Sequence, residues 1–169
     1  MTMVSNELEA VLSAAALDFL RQEKQLLIDG EWAPAADGAT LAVIDPATGL
    51  EVDRIADAGA ADVDRAAHAA RAAFRRGEWR RMPPPAQTRM MLQLADLIDA
   101  DAELLVELET LDSGKPIMAS QFEISGAAEL LRYYAGWTTK ITGTVNPVGP
   151  DVLSYTSRDP IGVCAGIIP

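Results

Sequence analysis

From residue 161 to residue 168 every side chain is apolar or glycine, in a run, I-G-V-C-A-G-I-I, that is flanked by Pro160 and Pro169. A short unbroken apolar run between breakers predicts a strand buried on both faces, the kind found inside parallel sheets. Parallel neighbours come from crossover units of a dozen or more residues. No such unit follows Pro169 in this sequence, so the expectation is the front part of a larger α/β protein.

The chain before it is that of a core-former. Its 169 residues are 49% hydrophobic and carry a net charge of -11, with a pI near 4.4. That charge argues against nucleic acid or an anionic membrane as partner, both of which need clustered cations. No apolar stretch approaches the roughly 20 residues of a membrane span, and the N-terminus lacks a basic signal region. One cysteine fits a reducing compartment, so the expected location is cytoplasmic.

Leu8, Val11, Leu12, Ala15, Ala16 and Phe19 recur at helical spacing and predict one lead-in helix over 7–21. Asp29-Gly30 supplies the positive φ of a tight hairpin turn, and strands at 41–45 and 51–56 flank the turn P-A-T-G. A helix starting near Gly59, with Asp62 in its first turn, is predicted to bury Val63, Ala66, Ala67, Ala70, Ala73 and Phe74 and to end at Gly77. A second follows the prolines at 83–85 with a stripe of Met90, Met91, Leu94, Leu97 and Ile98. A third is capped by Asp101, shows Leu104, Leu105, Leu108 and Leu111, and closes at Gly114. A fourth covers 117–140 through Ile117, Ile124, Ala127, Ala128, Leu131, Tyr134 and Ala135. Segments 141–145 and 152–158 then form a hairpin with alternating apolar and polar faces.

Chemistry-bearing residues are few. Cys164 sits inside the apolar run, where burial raises a thiol's pKa and no basic neighbour favours the thiolate, so core packing is expected rather than nucleophilic attack. His68 has no second histidine with which to share a metal. Asp96, Asp99, Asp101, Glu103, Glu107 and Glu109 are expected to form a solvated face. Gly162 and Gly166 do not have the spacing of a dinucleotide-binding loop.

Six stretches taken together carry a resemblance: L-I-D-G-E-W at 27–32, D-P-A-T-G at 45–49, D-V-D-R-A at 62–66, L-E-T-L-D-S-G-K-P at 108–116, L-R-Y-Y-A-G-W at 131–137 and R-D-P-I-G-V-C-A-G-I-I-P at 158–169. In this order they resemble the landmarks of the NAD(P)-dependent aldehyde dehydrogenase superfamily. The resemblance implies the N-terminal part of that α/β fold, about its first third. It divides the chain into a lead-in helix at 1–24, part of the nucleotide-binding domain at 25–140, an oligomerisation-arm hairpin at 141–159 and the first strand of the nucleotide-binding sheet at 160–169.

It further implies a parent enzyme that oxidises an aldehyde to an acid through a cysteine thiohemiacetal, with hydride passing to NAD or NADP. The nucleophile, general base and cofactor loop have no counterpart in these residues, so the chain is expected to be inactive and not to bind the cofactor by itself. Ile167, Ile168 and Pro169 match family positions that touch the cofactor; no residue here matches a catalytic one. Asp112, with the backbone near Val43 and Ile44, matches a monovalent-cation site of some members, with simple pairing at a helix end as the other reading. The partners implied are an aldehyde and further copies of the subunit, which assemble through 141–159. The prolines at 83–85 depart from the family pattern, and the lead-in helix resembles that of an aromatic-aldehyde subgroup. The alternative function is a non-catalytic module that assembles with full-length subunits.

Overall fold

The structure, a computed structural model, describes residues 6–168. Three small antiparallel ladders are attached to a layer of helices. The predicted lead-in helix is two helices, α1 (Asn6–Val11) and α2 (Ala14–Arg21). Ser13 is the reason for the break. Its extended backbone starts α2, and its hydroxyl accepts from the Ala16 N–H at 3.2 Å, a cap the stripe pattern does not reveal. Residues 1–5 of the predicted lead-in segment lie outside the described residues.

Strands β1 (Leu26–Ile28) and β2 (Glu31–Ala33) pair through the turn at Asp29 and Gly30, with φ of 54° and 84°, as the dipeptide predicts. Strands β3 (Thr40–Ile44) and β4 (Glu51–Ala56) form the second ladder, with an irregularity between Val43 and Ile44. The turn joining them is built on Asp45. Its buried carboxylate accepts from the Thr48 hydroxyl at 2.6 Å and the Ala47 N–H at 2.9 Å. These bonds, the Thr48 hydroxyl first and then the Ala47 N–H, hold the Asp45 carboxyl below its ordinary value.

A depressed folded-state pKa means stability that is present above the unfolded value of about 3.9 and lost as pH falls through the folded value. Denaturant unfolding at pH 5 and pH 3 is therefore expected to show a smaller acid loss for Asp45→Asn than for the parent chain. Equal losses would remove Asp45 from the acid-sensitive groups.

Helix α3 (Ala60–Arg76) begins at Gly59. Asp62 does more than face the helix dipole. It is buried, accepts from the Gly59 N–H at 3.2 Å, and reaches the Ala36 N–H at 3.1 Å, tying the preceding loop to the helix start. The predicted apolar stripe of α3 is not buried: Val63 is 60% and Phe74 44% exposed, and Ala67, Ala70 and Ala73 are exposed too. The start of the closing run, at 161–163, lies against Phe74 and leaves most of this face exposed. After the one-turn helix α4 (Glu78–Arg81) come α5 (Pro84–Ala100), α6 (Ala102–Ser113) and α7 (Ile117–Ala135).

Helices α5 to α7 form the main packed unit, with Ala95, Val106, Ala128 and Ala135 buried between them. Small side chains let the backbones approach, and partly buried hydroxyls bond across the seams. Thr110 Oγ1 meets Ser120 Oγ at 2.8 Å between α6 and α7, and Thr88 Oγ1 donates to the Ala135 carbonyl at 3.2 Å between α5 and α7. The predicted stripes are divided accordingly. Met91 and Ile98 are half-buried while Met90, Leu94 and Leu97 face solvent; on α7, Ile124 and Leu131 are half-buried while Ile117, Ala127 and Tyr134 are exposed. Asp101 precedes α6 but makes no side-chain cap, and α7 stops at Ala135, short of the predicted 140.

Strands β5 (Val145–Asn146) and β6 (Ser154–Tyr155) close the hairpin expected over 141–159. Beside them the Thr156 N–H donates to the Thr144 carbonyl at 2.9 Å. Residues 160–168, by contrast, form no strand. A parallel strand needs a ladder partner, and none is present among the described residues.

Candidate functional site

The assigned cofactor positions stand free of any enclosure: Ile167 is 100% and Ile168 84% exposed, and Pro169 lies outside the described residues. Cys164 is exposed as well, which corrects the expectation of a buried thiol. Its Sγ lies 3.7 Å from the Gly162 carbonyl oxygen. His68, on an exposed face of α3, places Nδ1 2.9 Å from the Asp64 carbonyl oxygen, and no cluster able to hold a metal ion occurs among the described residues.

The carboxylates read as a solvated face are largely engaged. Glu107 accepts from both the N–H and the hydroxyl of Ser13, the latter at 2.7 Å, and so ties α6 to the lead-in segment. Asp99 and Asp96 flank Arg132 at 2.6 and 2.8 Å and raise the guanidinium's pKa, linking α5 to α7. Glu109 and Glu123 each lie 2.5 Å from the Lys115 ammonium and raise its pKa in the same way. Every partner in these sets is a cation or a donor of Ser13, so none has the geometry of a paired acid and base.

Between α2, the β3–β4 ladder and α6 lies a cavity of about 660 Å³, with Phe19, Leu20, Val52 and Leu108 on its walls. Asp112 and Val43 both line it, whereas Ile44 does not. Two further wall residues form the most enclosed ion pair among the described residues. Lys24 Nζ lies 2.8 Å from Asp53 Oδ2, and it also donates to the Phe19 and Gln22 carbonyls at 2.7 and 2.6 Å. Neither residue belongs to a motif, and the pairing exists only because the chain returns from α2 alongside β4. The apolar-polar alternation of β4 gives no hint of it.

Comparison with known proteins places these elements. The model of the aldehyde dehydrogenase family matches residues 32–169. The chain is 49% identical to DhaS of Bacillus subtilis (strain 168) over 152 residues, which cover 89% of this chain and 31% of that one. It is 44% identical to the phenylacetaldehyde dehydrogenase of Pseudomonas fluorescens over 164 residues, 93% of this chain and 33% of the relative. Among solved structures, the NAD+ complex of the aldehyde dehydrogenase from Bacillus cereus superposes with a TM-score of 0.81 at 39% identity, over 85% of this chain and 30% of that one. The chain thus spans about a third of the length of the relatives it matches. A family match over most of its residues, joined to the same backbone course, makes this chain a member of the aldehyde dehydrogenase family.

Proposed function

We propose that these residues supply the amino-terminal third of a cytoplasmic, NAD(P)-dependent aldehyde dehydrogenase that oxidises its substrate to a carboxylic acid through a cysteine thiohemiacetal. The observation that carries this reading is the family match over 32–169, combined with a share of about a third in each relative. The exposed apolar surface supports it. Met118 is 73%, Phe122 81% and Leu153 77% exposed, values expected of faces that further protein covers. In the complete enzyme the run at 160–169 gains its parallel neighbours, Cys164 becomes a packing residue, and Ile167, Ile168 and Pro169 border the cofactor.

Ile167 and Ile168 do not by themselves make a dinucleotide site, because they stand exposed, their side chains carry no hydrogen-bond donor, and no helix among the described residues follows them to aim its N–H groups at a phosphate. The 169-residue chain is accordingly expected to reduce no NAD or NADP with any of a panel of aldehydes, as followed by absorbance of the reduced nucleotide. Turnover that survives Cys164→Ser, or any turnover at all, would overturn the division of labour proposed. An aromatic aldehyde is the substrate class favoured, since the match to a phenylacetaldehyde dehydrogenase extends over 93% of the chain.

Oligomerisation through 141–159 has its own support in the exposed hairpin, where Val145 is 76% and Tyr155 65% exposed. The same surface favours a second reading, a non-catalytic module that docks onto full-length subunits. Co-purification with a full-length aldehyde dehydrogenase that is lost on deleting 141–159 would support that module.

A further inference from the structure

The segment that carries α1 and α2 is fastened at both ends, by different means. At its carboxyl end the backbone holds it: the Lys24 carbonyl accepts from the Ala56 N–H at 3.0 Å, Lys24 bridges Ile55, and its ammonium meets Asp53. At the other end the fastening is a side chain. Glu107 of α6 accepts from the Ser13 N–H at 3.1 Å and from the Ser13 hydroxyl at 2.7 Å, at the point where α1 gives way to α2.

Little else of the segment is sunk into the fold. Among its described side chains Ala16 and Leu20 are the buried apolar ones, whereas Val11 is 73% and Phe19 37% exposed. One leucine and one alanine bury little apolar area, so the charge-assisted bonds to Glu107 weigh heavily in holding α2 on α6. Beneath the segment lies an apolar floor. Phe19 and Leu20 wall the cavity of about 660 Å³, and Leu8, Val11 and Leu12 wall a second of about 460 Å³; the two share Val52, itself 3% exposed, and Leu111. Lifting α1 and α2 joins the two cavities over these side chains. Few buried apolar contacts and a single latch are the conditions under which part of a protein opens without global unfolding. The matched family region begins at residue 32, so the part that lifts lies outside it.

We propose that residues 6–21 form a latched flap, hinged at 22–25 and closed by Glu107 on Ser13, which opens over Val52 and Leu111 while helices α5 to α7 stay folded. Hinge, latch and floor all lie within residues 6–111. The device therefore involves neither the closing run nor the proposed enzymatic role.

Native-state hydrogen exchange of the 169-residue chain tests it. The Leu17 amide, bonded to the Ser13 carbonyl at 3.0 Å, is expected to be at least tenfold less protected than the Ala128 amide of α7. Glu107→Gln keeps the shape of the side chain but loses its charge. It should lower the protection of Leu17 a further tenfold or so and leave Ala128 unchanged. Ser13→Gly, still a tolerated N-cap, removes the hydroxyl and should lower Leu17 protection at least threefold. Glu103→Gln, at an exposed position of the same helix, should alter neither amide. The flap is overturned if Leu17 exchanges in step with Ala128 in the parent chain, or if Glu107→Gln affects the two amides alike. The latch is overturned if Ser13→Gly leaves Leu17 unchanged or if Glu103→Gln matches Glu107→Gln.

Discussion

Replacing Lys24 with methionine is expected to lower the stability of the chain by about 3 kcal/mol, the cost of leaving one member of an enclosed ion pair without its partner. The side chains of Lys24 and Asp53 are 14% and 9% exposed. Methionine keeps the length of the stem but removes the ammonium, together with its bonds to the Phe19 and Gln22 carbonyls at the end of α2 and its seat 4.6 Å from the Phe19 ring centre. Asp53 would retain the Arg54 N–H, 2.7 Å away, as its remaining donor. For a chain of this size the loss corresponds to a fall in Tm of about 6–12 °C. The double variant Lys24→Met, Asp53→Leu should recover much of it, because no charge is then stranded. A single variant within 0.5 kcal/mol of the parent chain would show that the pair contributes nothing to the docking of α2.

The backbone around Lys24 explains why the pair lies where it does. Its carbonyl accepts from the Ala56 N–H at 3.0 Å, and it bridges Ile55 in parallel, so the segment after α2 lies along the edge of β4. Such a contact joins distant parts of the sequence, and nothing local announces it. The same holds for Ser13 and Glu107, which are 94 positions apart. What was legible was local chemistry: the positive φ of Asp29 and Gly30, the turn at 46–49 though not the Asp45 carboxylate that holds it, the helix start at Asp62 and the left-handed end at Gly114. Each depends on a few neighbouring residues whose side chains fix the backbone directly.

Faces were read less well, for a different physical reason. Periodicity states that Val63 and Phe74 share one side of a helix, but burial depends on what lies against that side. Among the described residues nothing covers it except the start of the closing run, and the apolar positions are exposed. The closing run shows the same limit. Its composition suits a strand buried on both faces, yet a strand is a property of a ladder, and the described residues contain no partner for it. Ile167 and Ile168, expected at the cofactor, share that exposure, since a segment without a ladder partner among the described residues encloses nothing.

Gly114→Ala is the second large effect, expected to cost about 2–4 kcal/mol. Gly114 ends α6 with φ of 68°, where its N–H bonds to the Thr110 carbonyl at 3.0 Å. A side chain in this conformation costs roughly 1 kcal/mol. The remainder is steric. A Cβ at 114 would stand 2.7 Å from Pro46 Cγ, because the turn at 45–49 packs directly on the end of α6. That turn is poorly placed to move, for Asp45 is buried and bonded to Ala47 and Thr48. Overpacking against a fixed ring adds about 1–3 kcal/mol. The two causes are separable by urea unfolding of four chains: the parent, Gly114→Ala, Pro46→Ala and the double variant. With the ring gone, the alanine should cost only its conformational part, so Gly114→Ala is expected to be much milder in the Pro46→Ala background than in the parent. An unchanged cost in both backgrounds would mean that Pro46 yields freely, and that the two landmark stretches meet without constraining one another.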